Sequence, residues 1–181
     1  MKRLALGFGL LLSFVSLGQS KAISREEALR LAFPGAQIQS TMIFLTDAEM
    51  KQIAKTSGAA VPSALVARYV AITGGRVVGR AYLDTHTVRT KKESLLIMLD
   101  ADGKMKRIEV VAFLEPPEYQ PSERWYDQFA GKKLEQNLRL SGEIHPVTGA
   151  TLTAKATTEA VRRVLAIDQM LLQKEAEAKQ P

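Results

Sequence analysis

The stretch that decides the fold is residues 94–113, SLLIMLDADGKMKRIEVVAF. It contains an apolar run from Ser94 to Leu99, a polar segment from Asp100 to Lys104, and a second run from Met105 to Phe113. Gly103 stands in the polar segment, where a tight turn calls for a positive φ. Two runs joined by so short a turn predict adjacent antiparallel strands.

The sequence before this stretch extends the sheet. Ala67 to Thr73 and Arg76 to Leu83 flank Gly74-Gly75, which predicts a hairpin with a two-residue turn. The polar residues 84–92 predict the connection to the next strand. The sheet therefore has at least four antiparallel strands.

Two capping boxes near the N-terminus predict helices that precede the sheet. Ser24 to Glu27 begins one helix, which ends at Pro34-Gly35, and Thr46 to Glu49 begins another. A short strand is expected between them, within Ala36 to Leu45.

The chain after the sheet changes character. Leu114 to Pro121 holds three prolines in eight residues and predicts a loop. Ser122 begins a short aromatic helix, and a short strand is expected at Leu138 to Leu140. A final helix begins near Thr151 and reaches about Gln173. Its buried stripe is expected to comprise Ala160, Val164, Ile167 and Leu171. Together these elements predict an α+β fold, an antiparallel sheet with packed helices.

The first 22 residues have the pattern of a secretory signal. Lys2 and Arg3 precede an uncharged apolar run from Leu4 to Leu17, and Ser20 to Ala22 offers a small-residue cleavage site. A spanning helix needs roughly 20 apolar residues, so this run is short, although an uncleaved anchor stays open. We expect a signal peptide at 1–22, one domain at 23–173 and a polar tail at 174–181, in a periplasmic or otherwise exported protein.

Charge and cysteine content narrow the function. The first 22 residues contain three basic residues and no acidic ones, so their removal lowers the formal charge from +6 to +3. This modest charge gives no indication of nucleic-acid binding. The chain has no cysteine, which excludes disulfides, thiolate metal sites and thiol nucleophiles.

The motif with the clearest chemistry is HPVTGATLT, residues 145–153. Gly149 allows a tight turn and a close approach of a ligand to the backbone. The free N–H groups and the dipole of a helix N-terminus favour an anion such as a phosphate. The alternative is that Thr151 or Thr153 simply caps the helix. The candidate cofactor-binding residues are Thr148, Gly149, Ala150, Thr151, Leu152 and Thr153.

With its surroundings, this motif resembles the FMN-binding domain family, which includes the FMN-carrying subunits of the Rnf complex and of the sodium-pumping NADH:quinone reductase. The family's Ser/Thr-Gly-Ala-Thr turn corresponds to Thr148 to Thr151. Its upstream order is also present, with Asp102 to Lys104 in a turn, Glu115-Pro116 in a loop and Phe129 to Lys132 at the end of an aromatic helix. The resemblance covers roughly residues 67–167.

The resemblance implies a cofactor and a role. In the family, a flavin transferase joins FMN to the last Thr of the turn through a phosphoester, which makes Thr151 the expected acceptor. The C-terminal helix then begins at the attachment turn. The implied function is electron transfer between redox partner proteins or within a quinone-linked membrane complex, rather than catalysis by this chain alone. His145 replaces the family's usual Asp, so a flavin-free module of the same fold stays open, as does a small flavin reductase.

Other features have a plain and a functional interpretation, and the plain one is preferred in each case. His86 and His145, the only two histidines, are polar loop residues or a two-histidine metal site. Arg89 to Lys92 is a solvated loop, or it docks an acidic partner or the FMN phosphate. The aromatic helix packs in the core, or one of its rings stacks near the flavin.

Overall fold

The computed structural model describes residues 23–180, and the predicted α+β fold is confirmed. The expected signal peptide lies outside the described residues. One antiparallel sheet has its five strands in sequential order: β1 (Gln37–Phe44), β2 (Leu65–Thr73), β3 (Arg76–Thr87), β4 (Lys92–Asp100) and β5 (Met105–Phe113). The helices of the described part are α1 (Arg25–Ala32), α2 (Asp47–Ser57), α3 (Glu123–Tyr126) and α4 (Thr151–Glu177). None of them is both long enough and apolar enough to cross a bilayer.

Strand β4 shows why residues 94–113 decide the fold. Its side chains alternate between two cores, one beneath α2, α3 and α4 and the other beneath α1. Leu95, Ile97 and Leu99 belong to the first core, and Leu96 and Met98 to the second. All five are fully buried, so a strand covered on both faces has a continuous apolar sequence.

Both predicted helix starts are present, but only one of the two predicted capping boxes is complete. The Ser24 hydroxyl accepts the N–H of Glu27 at the start of α1. Thr46 and Glu49 form a complete capping box at the start of α2. Residues 74 and 75 both have positive φ and join β2 to β3 as the predicted hairpin turn.

Helix α1 is fixed to the sheet by a close contact at Gly79. A Cβ atom at this position of β3 would lie 2.2 Å from Cε1 of Phe33 and 2.6 Å from the carbonyl oxygen of Leu99. Phe33 caps the C-terminus of α1 and is buried. Glycine is therefore required in this strand because an aromatic ring lies directly on its backbone.

The prediction of a polar connection at residues 84–92 is wrong. β3 continues to Thr87 and β4 begins at Lys92, so only residues 88–91 form the turn. Asp84 and His86 are strand residues with buried side chains. They are polar because they form ion pairs with each other and with α4, a long-range effect that a local pattern does not reveal.

The predicted strand at Leu138 to Leu140 is also wrong. Leu140 makes a single bridge to Ile144 within a turn. The guanidinium of Arg162 donates to the carbonyl oxygens of Glu135 and Leu138, at 2.8 and 2.9 Å. A side chain on α4 thus satisfies carbonyl groups in this segment that a neighbouring strand would otherwise bind.

Helix α4 is longer than predicted. It continues past Gln173 to Glu177. Lys174 forms an ion pair with Glu49 on α2, and Glu175 forms one with Arg68 on β2. These tertiary contacts support the last turn, whose polar sequence alone predicts a frayed tail.

Candidate functional site

The candidate site begins at the start of α4, and the capping interpretation of its threonines is wrong. Ala150 is the N-cap residue, and no side chain caps the helix. The Thr151 hydroxyl donates backward to the carbonyl oxygen of Val147 at 3.3 Å, and the Thr153 hydroxyl donates to the carbonyl oxygen of Tyr119 at 2.6 Å. The N–H groups of the first turn, which have no partners within a helix, remain available to an anion.

The turn of residues 148–151, here called the TGAT turn, has open space beside Gly149. Gly149 has φ +85°, and a Cβ added there would have no neighbouring atom within 4 Å. A glycine is therefore needed at position 149 for its backbone conformation and not to avoid a steric clash. Thr148 and Thr151 are exposed, whereas Ala150 is buried.

A cavity of about 180 Å³ adjoins the turn. One wall is formed by residues 149–153. The rest of the lining, here called the Glu115 wall, comes from Val88, Arg89, Glu115 and Tyr119. Five of the six predicted cofactor-binding residues thus line one cavity, while Thr148 lies in the turn outside its lining.

The groups around this cavity suit a flavin nucleotide. The Arg89 guanidinium and an uncapped helix start complement a phosphate. Leu152, of which 53 % is exposed, and the ring of Tyr119 provide apolar surface for a flavin. Because the cavity is smaller than a whole flavin nucleotide, part of the cofactor would extend beyond it. A second cavity of about 670 Å³ shares Arg89, Glu115 and Tyr119 as lining residues.

The loop before the TGAT turn is held by the aromatic helix. Trp125 Nε1 donates to the carbonyl oxygen of His145 at 2.8 Å, and Gln128 Oε1 accepts the N–H of His145 at 2.8 Å. The rings of Trp125 and Phe129 pack edge to face with centroids 5.5 Å apart. Both belong to the core and not to the cavity lining, so the prediction of a core role is confirmed.

Helix α4 is joined to the sheet by a buried cluster of charges, here called the His86 cluster: Asp84, His86, Glu93 and Arg163. Arg163 donates to both carboxylate oxygens of Asp84, each at 2.8 Å. The two ring nitrogens of His86 lie 2.9 Å from Asp84 and 2.9 Å from Glu93. The prediction that His86 is a loop residue is therefore wrong.

The His86 cluster places the imidazole of His86 and the guanidinium of Arg163 against the side chains of Asp84 and Glu93. Burial lowers the pKa of His86, but hydrogen bonds to Asp84 and Glu93 outweigh this effect and raise it to about 9. The ring is therefore an imidazolium at pH 7. Among residues 23–180 no group of three or more His, Asp or Glu side chains is arranged to hold a metal ion.

A second buried ion pair holds the middle of α4. Asp168 accepts two hydrogen bonds from Arg80 of β3, at 2.5 and 3.0 Å, and a third from the Tyr82 hydroxyl at 2.8 Å. With the His86 cluster, it fixes α4 on the sheet at two levels. The TGAT turn is consequently carried by a rigid element.

Sequence reasoning assigns few of the residues that complete the lining of this cavity. It offers a phosphate contact for Arg89 only as one alternative, and it assigns no role to Val88 or Tyr119. It places Glu115 in a loop that the family resemblance implies as a second wall of the flavin site, but it assigns no contact to this side chain. The family motif that contains Glu115 is the one signal in the sequence that points to this wall.

The comparisons with known proteins agree with this geometry. Residues 91–166 match the family model of the FMN-binding domain. The predicted resemblance to that family is confirmed for this part of the chain. The match supports FMN as the cofactor of the segment. The matched segment runs from the turn before β4 into α4 and includes the TGAT turn.

A curated relative extends the similarity beyond that segment. The chain is similar to one of the subunits of the Na(+)-translocating ferredoxin:NAD(+) oxidoreductase complex of Acetobacterium woodii. The two are 28% identical over 170 residues, which cover 84% of this chain and 76% of the relative.

Proposed function

We propose that this chain is an exported flavoprotein that carries FMN on Thr151 and passes electrons between redox partners. The observation that carries the proposal is the exposure and position of Thr151. Thr151 is exposed at an uncapped helix start and lines a cavity together with Arg89. The match of this segment to the FMN-binding domain supports the identity of the ligand.

Among the threonines of the segment, Thr151 best suits covalent attachment. Thr153 is buried, and its hydroxyl is engaged by the carbonyl group of Tyr119. The hydroxyl of Thr151 makes only a long bond, which an incoming phosphate can replace. Thr148 is exposed but does not line the cavity.

The attachment step is a phosphoryl transfer that a flavin transferase would catalyse. Oγ1 of Thr151 attacks the phosphorus atom of the donor flavin nucleotide, and the bond from phosphorus to the oxygen of the donor's leaving group breaks. The leaving group departs with that oxygen and takes up the hydroxyl proton. Whatever flavin nucleotide serves as donor, the product is the chain plus FMN minus one water. No electron is transferred in this step.

The proposed role of the chain is to hold a redox cofactor for its partners. The flavin supplies the redox chemistry, and the protein supplies its position and electrostatic surroundings. The similarity to a subunit of an oxidoreductase complex supports partners in such a complex. A covalent bond suits an exported protein, because a cofactor bound only at equilibrium is lost when free ligand is scarce.

The test compares Thr151→Ala with Thr151→Ser after coexpression with a flavin transferase. We expect wild-type protein and the Ser variant to stay yellow after denaturation and gel filtration, because both keep a hydroxyl. The Ala variant should fold and elute without colour. Colour that survives denaturation in the Ala variant would exclude Thr151, and a wild type that releases all its FMN would show non-covalent binding instead.

A further inference from the structure

One carboxylate oxygen next to the cavity accepts three backbone hydrogen bonds. Oε1 of Glu115 accepts the N–H groups of Arg89 at 3.1 Å, Thr90 at 2.6 Å and Lys91 at 2.7 Å. These three consecutive residues belong to the turn of residues 88–91 between β3 and β4. Glu115 is buried, and the hydrogen bonds, chiefly those of Thr90 and Lys91, lower the pKa of its carboxyl group.

Glu115 stands where the two cavities meet. Arg89, Glu115 and Tyr119 line both the cavity of about 180 Å³ at the TGAT turn and the second cavity of about 670 Å³. The guanidinium carbon of Arg89 lies 6.0 Å from the centre of the Tyr119 ring, within reach of a cation–π contact. These three residues thus form a single wall.

This wall is connected to both elements that carry the site. The hydrogen bond from Thr153 joins Tyr119 to the first turn of α4. The three bonds to Glu115 join the wall to the β3–β4 turn. Without Glu115, three adjacent amides of the turn that carries Arg89 would lose their shared acceptor.

We infer that Glu115 is a positioning residue for the cofactor site: it fixes the β3–β4 turn so that Arg89 presents its positive charge to the FMN phosphate opposite Thr151. The inference rests on the proposed function. Glu115 does not touch the cofactor's reacting atoms in this role. Its effect passes through the backbone of Arg89 to Lys91.

The test uses Glu115→Ala, Glu115→Gln and the control Glu118→Ala in the full mature chain. Glu118 lies three residues away, is exposed, and loses the same charge on substitution. In the apoprotein, amide hydrogen exchange at residues 89–91 should accelerate by about tenfold or more in Glu115→Ala, because bonds to a charged acceptor are lost. The Gln variant keeps an acceptor oxygen and should lie between the Ala variant and wild type.

The second readout is the rate at which a purified flavin transferase labels each chain. We expect a fall of about tenfold in Glu115→Ala, a similar fall in Arg89→Gln, and wild-type rates in Glu118→Ala. Acetate, a small carboxylate that can occupy the vacated position, should restore labelling of Glu115→Ala but not of Arg89→Gln. This rescue distinguishes positioning from a general loss of stability.

The outcomes separate the two proposals. A wild-type chain that takes no FMN would overturn the proposed function, and this inference with it. A labelled wild type together with a Glu115→Ala variant that exchanges faster but is labelled at the wild-type rate would overturn this inference alone. Failure of acetate to rescue Glu115→Ala would show that the residue serves only folding.

Discussion

The His86 cluster predicts that the protein loses stability as pH rises from 7 to 10. The pKa of His86 is raised from 6.5 to about 9 by its two carboxylate partners, although burial opposes the shift. A group whose pKa is higher in the folded state stabilises that state fully below its unfolded pKa. The stabilisation is lost as pH rises through the folded pKa.

The magnitude follows from these two pKa values. Protonation of His86 favours the folded state by about 2–3 kcal/mol at pH 7 and by close to zero at pH 10. Such a change is a large part of the roughly 5–15 kcal/mol that stabilises a typical domain. Urea unfolding followed through the single tryptophan, Trp125, should therefore show a lower midpoint at pH 10 with little change in slope.

Two variants control this measurement. His145, which is exposed, should keep the wild-type pH dependence when changed to Gln. His86→Gln should be destabilised at pH 7, because it leaves two buried carboxylates with one cation, and should lose little more at pH 10. The raised pKa values of Tyr82 and Tyr126 add a slope common to all three proteins. Equal pH dependence in wild type and His86→Gln would refute the reasoning.

Three further predictions concern packing, maturation and docking. Gly79→Ala should lower stability by about 1–3 kcal/mol, because the new methyl group overlaps Phe33; an unchanged urea midpoint would contradict the close contact. His145→Asp should raise the labelled fraction if a transferase requires an acidic residue there, and an equal fraction measured by intact mass would exclude that requirement. The rate of electron exchange with an acidic partner should fall as salt rises, because the Arg89 to Lys92 cluster is basic; stopped-flow rates that do not depend on salt would exclude electrostatic docking.

The parts of the fold that follow from local chemistry were predicted from the sequence. Gly74-Gly75, Gly103 and the Thr46 capping box have the predicted roles because each acts on its own backbone. The alternation within β4 between two cores could not be predicted, because a uniformly apolar run carries no period.

The errors have a common physical cause. Asp84 and His86 look like loop residues because a local pattern does not show that Arg163, far along the chain, pairs with Asp84, or that His86 pairs with Asp84 and Glu93. The end of α4 looks frayed in the sequence because the ion-pair partners of Lys174 and Glu175 lie on other elements, where a local pattern does not show them. The hydrogen bonds of Glu115 could not be predicted for the same reason, since all three cross to a turn 24–26 residues earlier.

The position of the flavin on the chain tests the central claim most directly. Wild-type protein from cells that make a flavin transferase should be digested under denaturing conditions, and the peptide containing residues 145–155 should be fragmented in a tandem mass spectrometer. We expect the added mass of FMN minus one water on Thr151 alone. The same mass on Thr148 or Thr153, or its complete absence from a protein that is yellow before denaturation, would contradict the account.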